Sequence, residues 1–481
     1  MKKSLKLNAV LNIIKQLCAV VFPLITIPYV SRVLKADSYG KVSFGNSIVS
    51  YFALLAALGI NDYAVREGAK IREDKEKIKK FVNEIFSINV MSTISSYVLL
   101  FVLLLYSKKL YDYRTLIVIQ SASILLTTIG MDWINSIYED YLYITVRYII
   151  FQIISLICLF IFVREPNDYV KYAVVTVLAS TGGNLLNIFY IRKYVTVRFT
   201  IEFNFKRHIK PIIYLFFNAV AVTIYVNSDM TILGILKAEK EVGIYGLSTK
   251  IYTVVKQILN AIVVVTLPRL SLYLGQNNLK AYGDLVEKIF NSLMSILLPT
   301  VIGLLVLSKQ AIFIVGGVEY IEGYHSLQIL CIALIFAVLS GFFCCCILLP
   351  YGQEKICLIA STAGAITNVL LNLYFIKKWS YNGAAVTTML SEGIVVLIYW
   401  LSCRKYIKFR YEKKVMGYVA LGCISIVIIC YVIKKIVTNI IWQIILCIVG
   451  GVIAYLGVQI CGRNPVVMQL YNKIVCLIKN K

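Results

Sequence analysis

The sequence predicts an all-α integral membrane protein of about 14 transmembrane helices, in two pseudo-symmetric six-helix lobes plus two C-terminal helices. Three observations lead there. Of 481 residues, 59% are hydrophobic and only 15% are charged, whereas soluble domains run near 45–50% and about 25%. No segment is polar enough to be a soluble domain, although the length would allow about three. A short stretch also recurs about 203 residues along the chain.

Each span is an apolar run near the roughly 20 residues that cross the hydrocarbon core. Their approximate limits are 9–30, 42–60, 81–106, 115–138, 141–163, 169–191, 211–236, 242–267, 285–307, 326–349, 356–376, 383–403, 416–433 and 440–461. The first follows Met1-Lys2-Lys3 and resembles a signal peptide. It is too long for one and lacks a small-x-small cleavage site, so it reads as a membrane helix. Pro23 and Pro28 should bend it. The fourth span carries Asp132 and Trp133 near its end and is the weakest of the set.

The formal net charge is +25. In a soluble chain it would suggest nucleic acid; here it sits in short loops and sets orientation. With the N-terminus in the cytoplasm, inner segments hold roughly twice the Lys and Arg of outer ones. Seven lie between residues 61 and 80 alone: Arg66, Lys70, Arg72, Lys75, Lys77, Lys79 and Lys80. Both termini are therefore expected inside, with an even span count.

The recurring stretch is Val33-Leu34-Lys35-Ala36-Asp37 with Tyr39-Gly40, matched by Ile235-Leu236-Lys237-Ala238-Glu239 with Val242-Gly243. Six helices per copy keep both copies in one orientation. The expected division is residues 1–200 and 201–403 for the lobes, with 404–481 as an additional pair of helices. A chance match of one short stretch is the alternative.

Charges inside spans point to a cavity or a partner, because a mid-bilayer charge costs about 2.5–3.5 kcal/mol even on a lenient scale. Asp229, Lys250 and Glu392 fall near one depth. They suggest a deliberate polar layer with a role in a transport cycle, Asp229 and Glu392 being the gating candidates, with an ion pair between Asp229 and Lys250 as the structural alternative. Lys15, Arg66, Arg147, Lys250 and Lys256 form a cationic set suited to a polyanionic head group such as a diphosphate. Snorkelling to the interface is the competing account for Lys15 and Arg147. Asn218 and Tyr225 share a face with Asp229, and Asn368 and Asn372 share one with Ser361 and Ala365. Such stripes line polar cavities or form packing seams between helices. The two histidines, His208 and His325, lie near span ends, and no pair of Cys-x-x-Cys units occurs among the 13 cysteines. No metal centre and no cofactor is expected. The longest outer loop, 308–325, has few acidic, Arg or His groups, so an enzyme is not expected either.

Five stretches in order resemble the bacterial oligosaccharide flippases of the multidrug/oligosaccharidyl-lipid/polysaccharide exporter superfamily. They are Ile27-Pro28-Tyr29-Val30-Ser31-Arg32-Val33-Leu34 with Tyr39-Gly40-Lys41-Val42; Leu58-Gly59-Ile60-Asn61-Asp62-Tyr63-Ala64-Val65-Arg66-Glu67; Asp229 through Leu233-Gly234 to Val242-Gly243-Ile244-Tyr245 and Lys250; Leu349-Pro350-Tyr351-Gly352-Gln353-Glu354-Lys355 with Asn368 and Asn372; and Gly383-Ala384-Ala385-Val386 leading to Glu392. The match covers about the first 400 residues. The resemblance implies translocation of undecaprenyl-diphosphate-linked oligosaccharide repeat units from the inner to the outer leaflet of the bacterial cytoplasmic membrane by alternating access. The cationic residues would meet the diphosphate, and Asp229 and Glu392 would answer to a coupling ion, proton or sodium. A polysaccharide polymerase and a chain-length regulator are the implied protein partners, and the product is O-antigen, capsule or a similar surface polysaccharide. The alternative within the superfamily is a cation-coupled drug or small-molecule exporter. That reading expects an acidic cavity, whereas this chain has more Lys and Arg than Asp and Glu inside its spans.

Overall fold

The computed structural model describes residues 5–201, 205–407, 411–465 and 467–468; the side chains of residues 5–10, 12, 13, 205–207 and 218 lie outside that set. The described elements are helices. The chain separates into two compact units, residues 1–246 and 247–481.

The first unit opens with α1 (Leu5–Ala57). A straight helix of 53 residues would run about 80 Å, far beyond a hydrocarbon core of about 30 Å. It is broken at Lys35, whose φ of 63° and ψ of 173° are non-helical. The break falls between the first two expected spans. Pro23 and Pro28 lie inside the helix before it. Next come α2 (Ile60–Ile71), α3 (Lys75–Tyr106), α4 (Lys108–Tyr111), α5 (Arg114–Gly130), α6 (Asp132–Ile137), α7 (Tyr141–Phe162), α8 (Tyr169–Val177) and α9 (Asn184–Tyr190). The long α10 (Phe205–Leu236) ends the unit together with the start of α11 (Glu239–Val264). Asp74 caps α3 by accepting the Lys77 backbone N–H at 3.1 Å. Met131, at φ 48°, splits the expected fourth span into α5 and α6. A π turn at Leu178–Gly182 divides the sixth into α8 and α9.

α1 is central to this unit and packs against α3, α5, α7 and α10. At one end, α2, α3 and α6 bury a tight core that includes Ile60, Tyr63, Phe81, Ile85, Trp133, Ile134 and Ile137. Elsewhere the apolar residues face outward, as with Val98, Leu99 and Phe101 on α3 and Ile150, Ile153 and Ile157 on α7. Exposed apolar surface on this scale fits lipid as the solvent.

The second unit holds the rest of α11, then α12 (Leu267–Gly275), α13 (Leu279–Val306), α14 (Ser308–Gly316), α15 (Tyr324–Phe343), α16 (Glu354–Cys403), α17 (Lys413–Ile436) and α18 (Ile440–Cys461). α16 repeats the device of α1: Ser380, at φ 48° and ψ −130°, breaks a run of 50 residues between the eleventh and twelfth expected spans. α15 packs on α16, α13 on α15 and α17, and α17 on α18.

Among the described residues, 11 helices are long and apolar enough to cross a membrane. Two of them are the broken helices, each covering two expected spans. α5, in the fourth expected span, is an apolar helix of only 17 residues.

Candidate functional site

Both units bury polar groups inside their helices. In the second unit the centre is Glu392 on α16, 3% exposed. Its Oε1 accepts Lys256 Nζ at 2.7 Å and Tyr252 Oη at 3.2 Å. Lys256 and Tyr252 are one helical turn apart on α11, so one face of that helix supplies both donors. Beside this pair, α16 crosses its own break with amide and hydroxyl groups. Asn372 Nδ2 donates to Asn368 Oδ1 at 2.9 Å, and Thr387 Oγ1 donates to Asn372 Oδ1 at 2.5 Å. Asn368 and Asn372 precede Ser380 and Thr387 follows it, so the Thr387–Asn372 bond joins the two halves of α16 while the Asn372–Asn368 bond orients its acceptor. Lys250 differs. Its side chain is exposed although it lies mid-helix, and it makes no ion pair or hydrogen bond within its unit among the described residues.

In the first unit, Asp229 is buried and accepts Tyr245 Oη at 2.6 Å. Tyr225 is half-buried on the same helix, one turn before Asp229. Asn218 also lies on α10, but its side chain falls outside the described residues. Arg147 is 7% exposed. Its Nη2 donates to Asp132 Oδ1 at 2.5 Å and to Asn184 Oδ1 at 3.3 Å. Asn187 Nδ2 reaches the same Asp132 oxygen at 3.2 Å. The break at Met131 turns Asp132 toward α7, and the π turn before α9 sets Asn184 and Asn187 opposite it. Lys15 is half-buried on α1, with Nζ 5.7 Å from the Tyr148 ring centre. Arg66 is 55% exposed at its side chain and pairs with its neighbour Glu67 at 3.0 Å.

The sequence-derived set therefore divides. Lys256 and Glu392 come together, as do Asn368 and Asn372. Arg147 spends its charge on Asp132, and Arg66 sits at a surface. Asp132 was visible in the sequence only as a blemish in the fourth span. A third buried group was missed: His208, fully buried, with Nδ1 2.8 Å from Tyr63 Oη and Nε2 2.8 Å from Glu84 Oε2. Only a carboxylate in α3 at a span end signalled it.

The second unit also carries an apolar groove of about 570 Å³. Pro299, Gly303 and Leu304 of α13 form one wall, and Ile426 of α17 with Gly451 and Val452 of α18 form another. Its lining is almost wholly carbon, and Cys430 and Cys447 face each other at its edge.

Comparison with known proteins places this arrangement. The chain is 24% identical over 384 residues to a Shigella dysenteriae protein named for O-antigen transport, covering 78% of this chain and 94% of the relative. Its fold matches the lipid II flippase MurJ in an inward closed conformation, with a TM-score of 0.76, 16% identity, and coverage of 96% of this chain and 99% of that one. An inward-facing multidrug resistance transporter of the MATE family matches with a TM-score of 0.56 and 14% identity, over 80% of this chain and 97% of that one. Those two likenesses establish a shared transporter fold. Residues 5–274 match the model of a family described as polysaccharide biosynthesis protein. That match spans more than half of the chain, and the chain belongs to this polysaccharide biosynthesis family of multi-pass membrane proteins.

Proposed function

We propose that the protein is a flippase that moves undecaprenyl-diphosphate-linked oligosaccharide repeat units from the inner to the outer leaflet of the bacterial cytoplasmic membrane. The observation that carries this reading is Lys250: an exposed ammonium at mid-helix, with no ion pair or hydrogen bond in its unit among the described residues. Such a charge in a membrane helix is costly unless something polar and anionic visits it. A diphosphate is that visitor in a family that builds polysaccharides. Lys256 supplies further positive potential on the same helix, being 28% exposed even while paired to Glu392. The apolar groove of α13, α17 and α18 suits an isoprenoid chain, which needs carbon surface and no hydrogen bonds. The relatives' names, an O-antigen transporter and a lipid II flippase, support the substrate class.

Transport would proceed by alternating access, with the head group crossing inside the protein and both termini in the cytoplasm. Asp229 and Glu392 are the proposed gating or ion-coupling groups, with proton or sodium as the ion. Glu392 is placed for it, because its carboxylate holds Lys256, a group that an arriving diphosphate would compete for. A polymerase and a chain-length regulator would receive the product outside. Reconstitution in liposomes with a fluorescent undecaprenyl-diphosphate oligosaccharide tests the reading. The unaltered protein should move the lipid between leaflets, and Lys250→Gln should slow it at least about tenfold, the loss of a charged hydrogen bond. No movement with the unaltered protein sinks the flippase; unchanged movement in Lys250→Gln removes the lysine from the site.

A further inference from the structure

The first unit contains a cavity with a largely carbon lining and a few polar groups turned into it. Its volume is about 240 Å³. That is far more than one water needs, and somewhat less than the roughly 300–1,000 Å³ of drug-sized pockets. Ala53, Ala57 and Ile60 give it an apolar side, and Asn61, Asn89, Ser123, Thr127, Asp132 and Asn184 give it a polar one. The indole of Trp133 forms part of the wall, with its Nε1–H buried and without an acceptor among the described residues. An orphan donor of this kind asks for an explanation.

The carboxylate in this wall is answered by Arg147, and Lys15 lies within electrostatic reach of both. Asp132 is 43% exposed at its side chain, while its partner Arg147 is 7% exposed and lies behind it. Arg147 and Asn187 both reach Asp132 Oδ1, and Oδ2 has no donor among the described residues. Asn89 Nδ2 is used on the Ala56 carbonyl, which leaves its Oδ1 without a donor, and Asn184 Oδ1 is used on Arg147, which leaves its Nδ2 without an acceptor. The open groups are thus two acceptors, Asp132 Oδ2 and Asn89 Oδ1, and two donors, Asn184 Nδ2 and Trp133 Nε1, with the Asn61 amide able to act as either. A free cation would meet the guanidinium behind the carboxylate, and a diphosphate would meet the carboxylate first. A neutral ligand rich in hydroxyl groups meets neither penalty. Hydroxyls donate and accept, and the carbon side of the cavity, from Ala53, Ala57 and Ile60, suits the C–H face of a sugar ring.

We propose that this cavity binds one neutral pyranose ring of the glycan being moved. The proposal rests on the flippase reading for its place in transport, and on the cavity alone for binding.

The test uses the full chain with Trp379, Trp400 and Trp442 replaced by Phe, so that fluorescence reports Trp133. The probes are D-glucose, D-galactose, N-acetyl-D-glucosamine and L-rhamnose, each to about 100 mM, with sodium chloride and inorganic diphosphate as controls; weak, millimolar binding is the expected range for so small a ligand. At least one sugar should give a saturable change, and Thr127→Leu or Ser123→Leu, which fill the space with carbon, should abolish it. Absence of saturation with all four sugars overturns the proposal, as does a saturable response to sodium or to diphosphate. Sugar binding that persists in both filled variants places it elsewhere and overturns it too. In the liposome assay the filled variants should slow transport. If they move lipid at the unaltered rate, the cavity has no part in transport while the flippase reading stands. If the unaltered chain binds sugar yet moves no lipid, the flippase reading fails and the cavity does not.

Discussion

Gly40 and Gly243 each press on the carbonyl of the residue four positions before the other. A Cβ at Gly40 would lie 1.9 Å from the Glu239 oxygen, and one at Gly243 would lie 2.0 Å from the Ala36 oxygen. Ala36 and Glu239 are separated by the same 203 residues as the two glycines. The two approaches are therefore reciprocal, each glycine lying against a backbone carbonyl one turn before the other.

Alanine at either glycine should destabilise the protein by about 1–3 kcal/mol, because backbone carbonyls cannot step aside. Higher helix propensity returns at most about 1 kcal/mol. Since both changes act on one contact, Gly40→Ala with Gly243→Ala should cost less than the two single effects together. Thermal unfolding in one fixed detergent measures this, and full additivity would separate the two contacts.

The pair Lys256 and Glu392 should respond unequally. Glu392 is 4% exposed at its side chain and Lys256 is 28% exposed. Lys256→Gln strands a buried carboxylate, a loss of up to about 3–5 kcal/mol. Glu392→Gln leaves an ammonium that still reaches solvent, so its cost should be smaller. The double variant should recover part of the loss. Equal midpoints for the two single variants would contradict the order.

Arg147 and Asp132 should behave in the same way with the signs exchanged. Here the cation is the deeper partner, so Asp132→Asn should destabilise more than Arg147→Met. The loss on Asp132→Asn should stay below the upper range of about 3–5 kcal/mol, because half of that carboxylate is already wet. Denaturation midpoints rank the two; the reverse order would mean that Arg147 is not held chiefly by Asp132.

His208→Phe should cost about 1–3 kcal/mol, since it leaves Glu84 without its donor in a buried place. Phenylalanine keeps the edge contact with the Phe81 ring, now 5.8 Å between centres. Glu84→Gln retains a polar partner for the imidazole and should cost less. Hydrogen exchange at the start of α10 reads the difference, and unchanged protection in His208→Phe would show that the triad does not anchor that helix.

Much of this was legible beforehand because lipid imposes simple rules. Apolar length marked where helices run, and the loops at Lys35 and Ser380 fell where the chain needed to turn. Depth also marked Lys256 and Glu392 as charges well inside spans. It could not say who meets whom. Height along a helix was readable at 1.5 Å per residue; azimuth and partner were not, as Glu392 is 136 positions from Lys256. Asp229 was likewise readable in height, and its hydrogen bond from Tyr245 was not. Asp132 was hidden for a different reason. Its role depends on the left-handed residue before it and on the π turn of another helix, and neither has a strong local signature.

The carbon-lined groove of the second unit has a practical consequence. Its walls do not distinguish an isoprenoid tail from any other alkyl chain, so a solubilising amphiphile is itself a competing ligand. Occupancy there will follow chain length and amphiphile concentration. If the groove holds a lipid tail as proposed, affinity measured in micelles will report displacement of one hydrocarbon by another, and a bilayer of fixed composition is the medium in which to measure binding.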